Sequence, residues 1–188
     1  MILDTLFRKR RLDTPASLIY GALVAQARDP WFYGELGVPD TVEGRFEMIA
    51  LHEFLVLRRL KTEKQGGQPK AEELGQAIFD LMFADMDRNL REMGVGDLGI
   101  AKRVKALIKE FYGRIKAYEE GLSGANWLLA EALNRNVFSG EAAIGTAHAL
   151  AVYLQNSVAS LEEVPFEAMM GGHLSFAKFS LVICGPDE

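Results

Sequence analysis

The sequence has a single cysteine among its 188 residues, Cys184, close to the C-terminus. A lone thiol cannot form an internal disulfide, and the absence of a CxxC pair excludes the common zinc and dithiol redox motifs. A reducing compartment therefore fits the sequence best.

Long apolar runs are also missing from the sequence. The longest ones, such as ALAVYL, are far too short to span a bilayer. The opening residues, MILDTLFRKRR, carry their charges after a short apolar stretch, which is the reverse of a secretory signal. We therefore expect a cytoplasmic protein, with peripheral contact to the inner membrane left open.

An excess of positive charge is missing as well, since the formal net charge is -5. The chain as a whole is therefore not a DNA-binding protein by charge. The composition, 49% hydrophobic and 25% charged, is that of a globular protein with enough apolar material for a sizeable core. We predict a single domain over residues 1–188.

Motifs for metal binding or catalysis are also few. None of the three histidines, His52, His148 and His173, has a second ligand three or four residues away. The GxSxG elbow, the Walker loop and a GxGxxG motif after a strand are absent. We expect no metal site and no cofactor, and nothing in the sequence argues for an enzyme.

One stretch, DMDRNLREMGVGD, resembles a calcium loop because Asp85, Asp87 and Asn89 stand at alternate positions. An EF-hand loop requires glycine at its sixth position and glutamate at its twelfth. Here those positions hold Leu90 and Gly96. In a helix, moreover, Asp85 and Asp87 point about 200° apart and cannot share an ion. The stretch therefore predicts a helix in which these carboxylates pair with arginines.

The same helix carries an arc of large apolar side chains. Methionine-rich surfaces suit variable apolar partners, so the arc is a candidate contact surface. The pattern alone favours the alternative that the arc is core. The arc comprises Phe79, Met82, Phe83, Met86, Leu90 and Met93.

Helix start and stop signals recur along the chain and predict an all-α fold, a helical-bundle-like domain of seven or eight helices. A polar, glycine-rich segment, 62–69, is the best flexible break, and the tail HLSFAKFSLVI is expected to be a short strand or an extended segment. The predicted helices run from Thr14 to about Arg28, from Asp40 (with Glu43 in a capping box) to about Lys61, from Pro69 to about Met93 and from Asp97 to about Glu120, with further starts at Ser123 and Ser139 and a stop at Pro165.

Glu53 lies in the middle of the main apolar face of the helix predicted from Asp40. A buried carboxylate requires a partner, commonly an arginine, and here it would have to come from another helix. The functional alternative is an enzyme or small-ligand-binding protein with a pocket near Glu53 and His52.

Basic residues form two clusters. The run Arg8, Lys9, Arg10 and Arg11 lies in a basic N-terminal segment, 1–13, and Lys102, Lys105, Lys109 and Lys116 share one helical face. Such a face is most often simply solvated, but it could also contact anionic lipid or ribosomal RNA.

Two long blocks of the sequence resemble the ubiquinol–cytochrome c chaperone family. They are DPWFYGELGVPDTVEGRFEMIALHEFLVLRRLK, residues 29–61, and IFDLMFADMDRNLREMGVGDLGIAKRVKALIKEFYGRIKAY, residues 78–118. The motifs GVPDTxxGRF and LREMGVGDL within them are long and specific. The residues that carry the resemblance, many of them expected to be structural caps and turns, are Trp31, Phe32, Tyr33, Asp40, Thr41, Gly44, Arg45, Phe46, Arg91, Glu92, Gly94, Gly96 and Asp97.

The resemblance implies a non-enzymatic assembly factor for the cytochrome bc1 complex, respiratory complex III. Such a protein would bind newly made cytochrome b, a very hydrophobic membrane protein. Mitochondrial members work with a small partner protein near the ribosome. Because this sequence has no transit-like extension before the similar region, we expect a bacterial form.

A chaperone for membrane-spanning helices needs an exposed apolar groove. The residues predicted to bind the client are Trp31, Phe32, Tyr33, Phe79, Met82, Phe83 and Met86.

Overall fold

The computed structural model of the chain describes the backbone of residues 2–143 and 145–178, with side chains from residue 14 onwards except that of Asn126. The side chains of the basic run Arg8, Lys9, Arg10 and Arg11 therefore lie outside the described residues, as does the tail beyond residue 178.

The described chain folds into helices connected by short loops, and no strand occurs within residues 2–143 and 145–178. The prediction of an all-α domain is therefore confirmed. The helices are α1 Ile2–Ala27, α2 Pro30–Gly34, α3 Val42–Gln65, α4 Lys70–Glu92, α5 Asp97–Ser123, α6 Asn126–Val137, α7 Thr146–Glu162 and α8 Phe166–Met170.

Helix α3 is the centre of the domain and packs against α1, α4, α6 and α7. It can do so because it is apolar around most of its circumference, and Leu51, Phe54 and Val56 are all buried. Helix α5 lies on the side of this core and packs against α4 and α6. One face of α5 therefore remains open.

The first helix begins earlier than predicted, since α1 runs through Pro15 rather than starting at Thr14. A proline inside a helix removes one backbone hydrogen bond, so Pro15 indicates a helix start when the sequence is considered alone. The proline alone does not reveal how α1 packs. Ala16, Ile19 and Leu23 are buried and pack α1 into the core.

The start of α3 corrects a second prediction. The cap is Thr41, whose side-chain oxygen accepts a hydrogen bond from the Gly44 N–H at 3.1 Å. Asp40 instead accepts a hydrogen bond from Arg45 at 2.6 Å. The predicted capping box with Glu43 does not form, because the third helical position belongs to Gly44.

The predicted flexible break is shorter than 62–69, because α3 continues to Gln65. Gly67 ends the helix in the left-handed region, at φ 94°. The Gly67 N–H bonds the Lys64 carbonyl and the Gln68 N–H bonds the Glu63 carbonyl, which is a Schellman motif. Only residues 66–69 separate α3 from α4.

The serine signals later in the chain were misassigned. Ser123 ends α5, which is three residues longer than predicted, and α6 begins after Ala125. Ser139 lies in a turn at φ 54°, and α7 begins at Thr146. Both serines are near helix boundaries, but neither caps a helix start. In the tail, residues 173–178 form neither helix nor strand.

Candidate functional site

The sequence motif LREMGVGDL forms the corner between α4 and α5. Gly94 takes φ 79°, and the Gly94 and Val95 N–H groups bond the carbonyls of Arg91 and Leu90, so that α4 also ends in a Schellman motif. The Arg91 guanidinium then donates to Asp87 at 2.7 Å and to Asp97 at 2.6 Å. One arginine thus connects the end of α4 to the start of α5.

These contacts replace the calcium interpretation. The predicted pairs Asp85–Arg88 and Asp87–Arg91 both form. The Asp97 carboxylate does not cap α5 as predicted; Gly96 holds the cap position without a side-chain hydrogen bond, and Asp97 is paired with Arg91 instead. Within the described residues, no three or more histidine, cysteine, aspartate or glutamate side chains are grouped so as to hold a metal ion.

The corner also presents two apolar side chains to solvent. Met93 is 50% exposed and Leu98 is 94% exposed. Sequence reasoning missed Leu98, because a leucine in a helical pattern is normally assigned to the core. Its register with the lysines of α5, at intervals of four, seven and eleven residues, was the available signal.

The open surface of α5 is one continuous stripe, which we call the basic face. Its lysines are all exposed, and Tyr112 among them is 58% exposed. The opposite face of α5 buries Phe111 and Tyr118. The basic face comprises Leu98, Lys102, Lys105, Lys109, Tyr112 and Lys116.

The apolar arc of α4 lies mostly in the core, as the pattern favoured. Met82, Phe83 and Met86 are buried, so the folded chain does not present them as a groove. Phe79 is only partly buried, with ring centroids 4.7 Å from Phe83 and 5.9 Å from Tyr112. Of the four arc residues predicted to bind a client, only Phe79 therefore retains accessible surface.

The aromatic segment at 31–33 forms α2, a short helix capped by Asp29, whose carboxylate accepts from the Trp31 N–H at 2.9 Å. Phe32 is fully buried and therefore cannot meet a client in this conformation. Trp31 and Tyr33 are half-buried, and the Tyr33 hydroxyl donates to the Ala27 carbonyl at 2.8 Å. Two of the three predicted aromatic contacts thus remain accessible.

The motif GVPDTxxGRF is structural around Gly44. A Cβ at this position would lie 2.0 Å from the Pro39 carbonyl oxygen, a separation that real atoms do not reach. Phe46 is buried, and the Arg114 guanidinium lies 5.8 Å from its ring centroid. Arg114 also forms a buried ion pair with Glu47 of α3, which connects α5 to the central helix.

His52 is enclosed at the centre of the domain. Its Nδ1 lies 2.7 Å from the Met48 carbonyl and its Nε2 lies 2.7 Å from the Tyr153 hydroxyl. These partners assign Nδ1 as the donor and Nε2 as the acceptor. Burial lowers the pKa of His52 to about 4, so the ring is neutral. Because both nitrogens are used, His52 is not available as a metal ligand.

Glu53 corrects a further prediction. It is fully buried as expected, but neither carboxyl oxygen has a hydrogen-bond partner among the described residues, and no arginine meets it there. Burial raises the pKa of Glu53 well above its usual value and thereby favours the neutral acid, a form that needs no cation. The pKa of Tyr20 is raised mainly by burial and also by Asp85 and Glu53, which places Glu53 on the side of α3 towards α1.

Comparison with known proteins decides the family. The sequence model described as Ubiquinol-cytochrome C chaperone matches residues 34–176. The chain belongs to the ubiquinol-cytochrome C chaperone family. The resemblance predicted from the two motif blocks is thus confirmed, and the family description agrees with a chaperone rather than an enzyme.

Relatives and a solved structure support the same family. A ubiquinol-cytochrome-c reductase complex assembly factor 1 from Xenopus laevis is 25% identical over 133 residues, which are 71% of this chain and 64% of that protein. Protein CBP3, mitochondrial, from Saccharomyces cerevisiae is 31% identical over 122 residues, 63% of this chain and 35% of that protein. The crystal structure of the Cbp3 homolog from Brucella abortus superposes with a TM-score of 0.80 at 38% identity, covering 95% of this chain and 97% of that one.

The chain therefore spans only 64% and 35% of the length of these two relatives. Its fold is nevertheless shared almost completely with the Brucella structure. No helix among the described residues is long and apolar enough to cross a membrane.

Proposed function

We propose that this chain is a non-enzymatic assembly chaperone for the cytochrome bc1 complex, and that its client is newly made cytochrome b. The observation that carries the proposal is the family match over residues 34–176, together with relatives named as assembly factors of that complex. The proposed location is the cytoplasm, with peripheral contact to the inner membrane, where a hydrophobic client emerges.

The client surface that we propose is narrower than the one predicted from sequence. Trp31, Tyr33 and Phe79 are the predicted client-binding residues that keep accessible surface. Aromatic side chains with one accessible side provide large apolar contact area at small entropic cost, which suits a helix of a membrane protein. A buried Phe32 beneath Trp31, at 6.1 Å between ring centroids, supports the accessible ring from below.

Co-purification tests the client and its contact surface separately. A tagged chain isolated from respiring cells in mild detergent is expected to carry cytochrome b, and Trp31→Ala together with Phe79→Ala is expected to reduce that yield. The matched control is Trp127→Ala, which removes an equally large ring on α6 that is 58% exposed. Unfolding transitions of each variant show that the chain is folded.

The outcomes separate the two parts of the proposal. Failure of the unmodified, folded chain to carry cytochrome b would overturn the client assignment. Equal yields from the double variant and the control would overturn the contact surface and leave the client in place. The small partner protein and the ribosome stay predictions, and the same preparation tests both if its other components are identified by mass spectrometry.

A further inference from the structure

We propose that the basic face of α5 and the adjoining corner dock the chaperone on an anionic lipid bilayer, with Leu98 and Met93 entering the headgroup layer. This inference rests on the proposed function, because a chaperone for a membrane-protein client works beside the bilayer. It goes further in naming the surface, the side chains that insert and the lipid charge.

The ion pairs formed by α5 leave positive charge unpaired along the helix. Every acidic side chain of the helix has a cationic partner: Asp97 contacts Arg91, Glu110 contacts Arg114, Glu119 contacts Arg58 and Glu120 contacts Lys116. Lys102, Lys105 and Lys109 form no ion pair with any described residue. The charges of α5 that are left for an outside partner are therefore positive.

The charge of the basic face is opposite in sign to the net charge of the chain. The chain carries a net charge of -5, so most of its surface would be repelled by anionic lipid. The basic face extends from residue 98 to residue 116 along one side of a helix, a span of about 27 Å. Attraction concentrated on this face would orient the domain on a flat charged surface.

Exposed apolar and aromatic side chains accompany the lysines of the basic face. Leu98 is 94% exposed at the N-terminal end of the basic face, and Met93, five residues earlier in the same corner, is 50% exposed. Peripheral membrane helices combine lysines with apolar side chains that enter the interface. Tyr112, 58% exposed on the same face, is a residue type enriched at the membrane interface.

The corner that carries Met93 and Leu98 is fixed by hydrogen bonds and ion pairs. Arg91 bonds both Asp87 and Asp97 across the corner, and the Schellman motif at Gly94 fixes the turn. Side chains on such a corner need no reorganisation to insert. An RNA partner would use the lysines but would gain nothing from an exposed leucine and methionine, so the combination favours lipid.

Vesicle binding by the full chain provides the test. The chain is expected to co-sediment with vesicles of phosphatidylcholine mixed with phosphatidylglycerol, and only weakly with phosphatidylcholine alone. Each lysine near an anionic surface contributes about fivefold to partitioning, so Lys105→Glu with Lys109→Glu should reduce binding at least about thirtyfold. Lys61→Glu with Lys70→Glu makes the same charge change elsewhere, on exposed lysines, and should reduce it far less.

The apolar contribution has its own variant. Leu98→Ser should weaken binding to the same vesicles by roughly tenfold, because the leucine loses its transfer into the interface. Val152→Ser is the matched control, since it changes an exposed apolar residue on α7. Binding of a fluorescent structured RNA by the same variants distinguishes lipid from nucleic acid.

Several results would overturn the inference. They are vesicle binding that the double reversal leaves unchanged, equal loss in the control reversal, and RNA binding that is tighter than vesicle binding and indifferent to Leu98→Ser. Cytochrome b capture in detergent, where no bilayer is present, is measured in parallel. Loss of vesicle binding with retained capture supports the docking surface, whereas failed capture with retained vesicle binding refutes the proposed function and leaves the docking surface standing.

Discussion

Replacing Glu53 by glutamine should change how the stability of the domain depends on pH. Glu53 is buried, its oxygens have no partner among the described residues, and burial raises its pKa well above the usual value of 4.5. Glutamine has nearly the same shape and hydrogen-bonding capacity but does not titrate. The difference between the two proteins therefore isolates the ionisation of this one carboxyl.

The sign follows from proton binding. Above pH 4.5 the unfolded chain releases the Glu53 proton, while the folded chain keeps it until the raised pKa is reached. The free energy of unfolding of the native protein, compared with Glu53→Gln, should thus fall as the pH rises through this window. The slope is about 1.4 kcal/mol per pH unit as long as the folded carboxyl stays protonated.

Urea unfolding at pH 5, 6 and 7 measures this difference, which should grow by up to about 1.4 kcal/mol per pH unit until the pH reaches the raised pKa. The depressed pKa of His52 affects both proteins equally and cancels in the comparison. Glu53→Met serves as the second variant. It removes an unsatisfied polar group at every pH and should stabilise the domain by about 1–3 kcal/mol.

Two results would refute this reasoning about Glu53. If the native protein and Glu53→Gln show parallel pH profiles, the carboxyl has the same pKa folded and unfolded. If the native protein gains stability relative to the variant as the pH rises, Glu53 is ionised in the fold and has a cationic partner.

Two further predictions concern the motif glycine and the apolar arc. Gly44→Ala should destabilise the domain by about 1–3 kcal/mol, because its Cβ would meet the Pro39 carbonyl, whereas Gly113→Ala, with open space at an exposed helical position, should stabilise it by roughly 0.5–1 kcal/mol; calorimetric unfolding that moves both variants in the same direction would contradict this. Met82→Ala should cost about 2–5 kcal/mol in urea unfolding, because it opens a cavity in the core. Unchanged stability with lost cytochrome b capture would instead mean that Met82 contacts the client in the working state.

Local sequence signals located the helices well but chose the wrong cap at the start of α3. Asp40 and Thr41 are adjacent and both suit an N-cap. The choice depends on the path of the chain before them: Pro39 approaches Gly44 so closely that a Cβ there would clash with its carbonyl oxygen, and Thr41, not Asp40, is the cap. Such an approach between backbone segments has no signature in a helical pattern.

For Glu53, the sequence predicted burial correctly but predicted the wrong partner. Its place on the apolar face of α3 predicted burial correctly, because that follows from helical periodicity alone. The predicted arginine depended on which side chains the neighbouring helices bring to that position. The sequence pattern of one helix contains no information about this.

The spacing of the lysines of α5 predicts one shared face, but residue type argues against including the apolar members of that face, although Leu98 has the same register. Leu98 and Tyr112 are residue types that most often belong to a core, and only the structure shows that Leu98 is 94% and Tyr112 58% exposed. The predicted client arc shows the opposite outcome, since Met82, Phe83 and Met86 are buried and Phe83 packs against Phe111 of α5.

Because His52 is enclosed, its chemical modification would report opening of the domain core. His148 and His173 are exposed, whereas His52 is sealed by its two hydrogen bonds and by the rings of Phe32 and Phe176. An electrophile such as diethyl pyrocarbonate should therefore modify two exposed imidazoles in the folded chain, and a third only when the packing around His52 opens. Counting modified histidines in a client complex would report whether the chaperone opens at its centre.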